Sequence, residues 1–326
     1  YPVAISVHSK SIGMEYPMIC FNGGRPNKDG TYSKRTKYAM IGVIIHEVGH
    51  NFFPMIINSD ERQWTWMDEG LNTFTQYLCE KEWERDYPSR RGPAHKIVDY
   101  MKGDKSNITP IMTNSESIYQ FGNNAYGKPA AALNILRETV MGRELFDHAF
   151  KTYAKRWAFK HPTPSDFFRT MEDASGVDLD WFWRGWFYTT DVTDIGITSV
   201  KKFYTKINEK SVDFIEDTTQ GLGFGTDKYK DSKFYYEITY NKPGGLVMPI
   251  IVQFDYKDGT SERKVYPAQI WRYNDNEITK VFSSNKEISK ITIDPNQETA
   301  DVDPSNNSWP KETENKFEKF KSKIKG

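Results

Sequence analysis

Apolar side chains recur at helical spacing through the first half of the chain and at every second position through much of the rest. Between Thr36 and Phe53 the residues Tyr38, Ile41, Ile45, Val48 and Phe52 fall three or four apart, as on one face of a helix, and Pro54 is placed to close it. A second helix is predicted over roughly 67–84, reached through the polar link Asn58-Ser59-Asp60. Further helical patterns cover 129–141, stopped by Gly142, and 144–157. Another begins at a hydroxyl cap, Thr163 or Ser165, and ends before Gly176. The run 179–188 holds Trp181, Phe182, Trp183, Trp186, Phe187 and Tyr188, read as core rather than as a ligand-stacking surface.

Strand patterns bracket these helices. Residues 1–21 alternate around Val3, Ile5, Val7 and Ile19 and end in the turn signal Asn22-Gly23-Gly24. After Thr190 strands are predicted at 234–240, 247–256, 262–266, 277–282 and 288–293, with Pro243-Gly244-Gly245 and Asp258-Gly259 as turns. That pattern predicts a small β-sandwich. From Asp301 the sequence turns polar and then lysine-rich; Phe317, Phe320 and Ile324 can line one helical face, but a solvated tail is the expectation. The whole reads as α+β, mostly helical after an N-terminal strand region, divided at 1–190, 191–300 and 301–326.

A chain of 326 residues exceeds the roughly 250 to 300 residues at which single cores stop growing, which agrees with that division. Basic and acidic residues number 44 each, so no net field favours nucleic acid or an anionic membrane over other partners, and nucleic acid is not expected as one. No stretch approaches the roughly 20 apolar residues of a membrane span, and the longest apolar run, 38–45, lies inside the first predicted helix. Two cysteines, Cys20 and Cys79, allow at most one bridge and are expected to be buried thiols. The sequence opens at Tyr1 without a signal-peptide pattern, so a processed or truncated piece of a longer chain is expected. Compartment and oligomeric state stay open, an extracytoplasmic location included.

The first helix carries His46-Glu47-Val48-Gly49-His50. Residues four apart differ by only about 40° around a helix, so both imidazoles emerge on one face and can share one ion. Two imidazole nitrogens suit Zn²⁺, which takes three protein ligands when one position is kept open for catalysis. After an eighteen-residue spacer the second helix presents Glu69, the expected third ligand. Such a site makes a water nucleophilic near neutral pH, and Glu47, one residue from the first ligand, is the expected base that takes its proton. His8, His95, His148 and His161 have no comparable spacing and are read as surface or core groups.

With these residues in hand the chain resembles the gluzincin zinc aminopeptidases of the aminopeptidase N and leukotriene hydrolase type. Three landmarks carry the resemblance: the zinc motif with its spacer and Trp66-Met67-Asp68-Glu69-Gly70, where the family usually has Asn for Asp68; Gly13-Met14-Glu15-Tyr16-Pro17, similar to the family's Gly-x-Met-Glu-Asn segment; and Tyr126-Gly127-Lys128-Pro129, similar to its Tyr-x-Lys-Gly. The resemblance implies a thermolysin-like catalytic domain over 1–190. It implies that Glu15 binds the substrate's free α-amino group, that Gly13 and Met14 line the peptide backbone, and that Tyr126 steadies the oxyanion. Tyr16 and Pro129 depart from the pattern. It also implies a form truncated relative to the family, without its N-terminal β-domain and its large C-terminal helical domain.

The expected function is therefore zinc-dependent release of N-terminal residues from peptides with a free amino terminus. Two alternatives stand beside it: a thermolysin-like endopeptidase, and a fragment that binds zinc and peptide without turnover.

Overall fold

A computed structural model describes residues 5–8, 13–208, 211–217 and 233–311. The lysine-rich segment with Phe317, Phe320 and Ile324 lies outside the described residues, as do the first four residues. The chain forms two compact units, one running to Asp191 and taking back Glu298–Ala300, the other Val192–Gln297 with the residues from Asp301 on.

The first unit opens with β1 (Ile5–His8), β2 (Gly13–Tyr16) and β3 (Ile19–Asn22), in spatial order β1-β3-β2. β3 is parallel to β1 and antiparallel to β2, with Glu15 opposite Cys20. Helix α1 (Lys34–Gly49) starts where the Ser33 side chain accepts the Thr36 amide at 3.0 Å. It ends before the expected Phe53, in a turn that precedes Pro54. Its apolar stripe is only partly covered, for Val48 is 42% and Phe52 41% exposed.

Past a π-helical turn over Trp66–Gly70 comes α2 (Leu71–Trp83), where one continuous helix is predicted. A short α3 (Val98–Met101) and a second π-helical turn, Gly122–Gly127, lead into α4 (Lys128–Ile135). Then follow α5 (Arg143–Trp157), α6 (Pro164–Ser175) and α7 (Asp180–Tyr188). At the start of α6, Thr163 and Asp166 form a reciprocal capping box, and Gly176 closes the helix in the left-handed region.

The core of this unit is aromatic. Trp66 stacks on Phe168 with 8° between ring planes, Phe187 packs on its edge, and Phe167 joins it to Tyr153 and Trp183. Phe182, Trp183, Trp186 and Phe187 are all buried, so most of the aromatic run packs inward; Tyr188 does not. Anchoring Trp66 and Met67 in this core turns Glu69 toward α1. Two glycines let the elements close on each other. A Cβ at Gly49 would lie 2.2 Å from Asn72 Oδ1, and one at Gly70 would lie 2.6 Å from Pro129 Cγ.

The second unit holds two four-stranded sheets of antiparallel pairs. One has β4 (Gly196–Asn208), β5 (Ser211–Glu216), β6 (Phe234–Asn241) and β9 (Glu277–Ser284) in the order β5-β4-β6-β9. The other has β7 (Ile250–Tyr256), β8 (Ser261–Tyr266), β10 (Ile288–Ile293) and β11 (Ser308–Trp309) in the order β11-β10-β7-β8. Phe254 stacks on Phe282 at 4.1 Å between the sheets, and the Ile288 amide donates to the Tyr236 hydroxyl at 2.8 Å.

Three expectations are corrected. The tail does not begin at Asp301: its carboxylate accepts the Ile195 amide at 3.0 Å, and β11 pairs with β10, because Asp301 and Trp309 find partners that composition does not reveal. Cys20 is a buried thiol but Cys79 is exposed, lying on the outer face of α2. Strands β4 and β5 escaped the pattern. Among the described residues no helix is long and apolar enough to cross a membrane.

Candidate metal centre

Helical spacing projects His46 and His50 from α1 onto one side, where the π-helical turn before α2 brings Glu69. Glu69 Oε2 lies 3.0 Å from His46 Nε2 and 3.3 Å from His50 Nε2. The other ring nitrogens point away and are held: His46 Nδ1 donates to Gln76 Oε1 at 2.9 Å and His50 Nδ1 to the Phe53 carbonyl at 2.8 Å. Asp68 Oδ1 is 3.0 Å from the same His50 nitrogen but makes no hydrogen bond, since the single proton there goes to Phe53.

Held this way, both rings present the Nε2 lone pair to the space shared with Glu69, and His50 Nε2 is buried without a hydrogen bond. Three ligand atoms within 4.8 Å of one another, two of them imidazole nitrogens, fit a tetrahedral zinc site with one position left open. The outward partners are the supports that fix tautomer and ring orientation in metal sites.

Glu47 is 5% exposed, and its Oε2 is buried with no hydrogen-bond partner. Burial raises its pKa to about 7; His50 opposes the rise, while Glu15, Glu69 and Asp68 add to it. For Glu69 burial works in the same direction, but the two imidazoles facing it outweigh it and hold its pKa down at about 2.

Tyr126 sits in the π-helical turn before α4. Its hydroxyl donates to Glu69 Oε1 at 2.5 Å, and its ring stacks on His46 at 5.7 Å. Burial and the neighbouring Glu69 both raise its pKa, so it remains a donor. Gly13, Met14 and Glu15 come from β2, an edge strand of its sheet. A Cβ at Gly13 would meet Glu47 Oε1 at 2.2 Å and Val43 Cγ2 at 2.9 Å, so a larger residue there would displace the Glu47 carboxylate. Ligand oxygens of Glu15 and Glu47 lie with a His50 nitrogen inside 4.8 Å, and Glu15 gathers equally closely with Glu61 and Asp68. All eight residues named from the sequence line one cleft of about 1240 Å³.

Sequence reasoning missed the supports. Gln76 Nε2 donates onward to Glu80 Oε1 at 2.8 Å, and Asn72 Nδ2 donates to the His46 carbonyl at 2.8 Å. Glu69, Asn72, Gln76 and Glu80 fall at helical spacing along a face turned to α1, and a polar stripe on a helix with buried neighbours was the available signal. Arg91 was also missed; its guanidinium lies over the Tyr126 ring, 4.5 Å from the centroid.

The sequence model of the peptidase family M1 domain matches residues 7–186. The chain is 26% identical over 197 residues to glutamyl aminopeptidase of Sus scrofa, covering 57% of this chain and 20% of that protein. It is 26% identical over 167 residues to probable aminopeptidase 1 of Sulfurisphaera tokodaii, covering 48% and 21%. For aminopeptidase N of Streptomyces lividans the identity is 23% over 193 residues, covering 53% and 22%. The chain thus matches about a fifth of the length of these relatives. The fold is similar to that of Legionella pneumophila aminopeptidase A, solved in complex with aspartic acid, with a TM-score of 0.54 at 15% identity, over 86% of this chain and 29% of that one.

Proposed function

The chain belongs to peptidase family M1, and from that premise we propose that it releases N-terminal residues from peptides with a free amino terminus, using one zinc ion held by His46, His50 and Glu69. The observation that carries the reading is the convergence of two imidazole Nε2 atoms on Glu69 Oε2, at 3.0 and 3.3 Å, with both outward nitrogens already engaged. We read residues 1–190 as a thermolysin-like catalytic domain and the unit that follows, β11 included, as an accessory β-sandwich.

Zinc in that site supplies Lewis acidity toward the scissile carbonyl and toward water. Glu47 takes a proton from the attacking water on its unpartnered oxygen and returns it to the departing amine nitrogen. Tyr126 supplies the hydroxyl donor for the developing oxyanion, from a position already inside the cleft. Glu15 binds the substrate ammonium, aided by the negative potential of Glu61 and Asp68 beside it. Gly13 and Met14, on an edge strand, line the extended peptide backbone.

The test compares one peptide with its amine free and acetylated, given to the zinc-loaded chain. Release of the first residue from the free peptide alone is expected. Equal cutting of both, at internal bonds, would replace this reading with a thermolysin-like endopeptidase. Single-turnover cleavage that disappears in Glu47→Gln excludes a fragment that only binds zinc and peptide.

A further inference from the structure

Arg91 is a half-buried arginine that the mechanism above does not use. Among the described residues no carboxylate forms an ion pair with it, whereas Arg137 engages Asp147 and Glu138, and Arg156 engages Asp173. Its guanidinium is fixed instead by the face of Tyr126, an arrangement that holds a cation without neutralising it. Arg91 lines the main cleft, and with Arg90 and Lys96 it also lines an adjoining cavity of about 130 Å³ that no carboxylate borders. A planar guanidinium in such a place is shaped to receive a carboxylate through two parallel hydrogen bonds.

The cleft has a direction that tells which part of a peptide reaches this cation. Strand β2 runs alongside α1, with Gly13 against Val43 and Glu47, Glu15 beside His50, and the Met18 amide bonded to Asn51 Oδ1 at 3.4 Å. The ammonium end at Glu15 is therefore toward the C-terminus of α1. From the metal residues the cleft continues the other way, along Val43, Ala39, Tyr38, Arg35 and Lys34. Arg91 stands over Tyr126, whose ring stacks on His46, one turn of α1 before the His50 that Glu15 adjoins.

We propose that Arg91, held over Tyr126, binds a carboxylate carried by the residue on the leaving side of the scissile bond. Two sources share that chemistry, the C-terminal carboxylate of a dipeptide and an acidic side chain at the second position. Arg91 is then a specificity-determining residue, and short or acidic peptides are preferred substrates. The proposal rests on the aminopeptidase reading.

Values of kcat/KM for the zinc-loaded chain test it on matched pairs. Ala-Ala against Ala-Ala amide reads the terminal carboxylate, and Ala-Glu amide against Ala-Gln amide reads the side chain. A preference of about tenfold or more for the carboxylate member of at least one pair is expected, seated in KM. It should fall to near unity in Arg91→Gln and be only partly restored by Arg91→Lys. No preference in the unaltered chain, which requires no variant to fold, overturns the proposal, as does a preference that survives Arg91→Gln. A preference confined to Glu-p-nitroanilide over Gln-p-nitroanilide places the carboxylate on the first residue and overturns the leaving-side assignment. Failure to cleave Ala-p-nitroanilide or any of these peptides sinks the peptidase reading instead. Calorimetric titration of the Glu47→Gln chain with the same pairs then decides the Arg91 proposal by binding alone.

Discussion

Tyr126 donates its hydroxyl to Glu69 Oε1 across 2.5 Å, while the other oxygen of that carboxylate faces both His46 and His50. One side chain thus touches a candidate metal ligand and, in the mechanism proposed above, serves the oxyanion as well. Tyr126→Phe is expected to lower kcat by about 10²–10³-fold at saturating zinc, with KM little changed. Steady-state kinetics on a p-nitroanilide check this, and an unchanged kcat would remove Tyr126 from the reaction.

Glu47 is buried beside the centre without being needed to hold it. Glu47→Gln should keep the metal content measured by atomic absorption and lower turnover by about 10²–10⁴-fold. His50→Ala should lose the metal itself. If the glutamine variant hydrolyses peptide at the normal rate, the proton carrier is another group.

Gln76 bonds His46 Nδ1 and is itself held by Glu80. Gln76→Ala should weaken zinc binding by about 10–100-fold, read by competition with a chromophoric chelator. Its melting temperature without metal should stay close to that of the unaltered chain, since the bond orients a ring and fills little of the core.

Gly49 sits where α1 meets Asn72. Gly49→Ala would place a methyl 2.2 Å from Asn72 Oδ1, so despite alanine's better helix propensity it should destabilise the fold by about 1–3 kcal/mol. Denaturant unfolding checks the sign, and an increase in stability would mean that the two helices separate easily.

Lys128 is fully buried, and its Nζ donates to the Thr189 carbonyl at 3.2 Å. Burial, with Lys105 nearby, pulls its pKa down to about 7, against about 10.4 in an unfolded chain. Between those values the unfolded chain carries a proton that the folded chain does not, so this group makes stability rise with pH from about 7 to about 10. Below about 7 its slope vanishes. Lys128→Met should flatten that part of a stability-against-pH curve; an unchanged slope would show that the amine is charged inside the fold.

The sequence made parts of this legible because they are periodic or chemically unusual. The spacing of His46 and His50 puts them on one helix face, and the caps of α6 can be read from Thr163, Asp166 and Gly176. Other features depend on what lies across the fold. Strand β4 was hidden by Lys201-Lys202, for Lys202 is drawn inside by Asp217 and Glu287, at 3.1 and 2.5 Å, and so behaves as a core-lining residue. The stripe on α1 was legible, but its partial exposure at Val48 and Phe52 was not, since periodicity says which side is apolar and not what covers it. Arg91 has no local signature; only the folded chain sets it over Tyr126.

Glu69 and Tyr126 both stand on π-helical turns, each a helix winding with one residue more than an α-helical turn holds. Removing a single residue from either turn would let ordinary winding resume and swing the site residue by roughly 100° about the axis, while α2 or α4 beyond it kept its form. The centre is thus more sensitive to the count of residues in these turns than to the identity of most of them, and a one-residue deletion there should give a well-folded chain that no longer gathers its ligands.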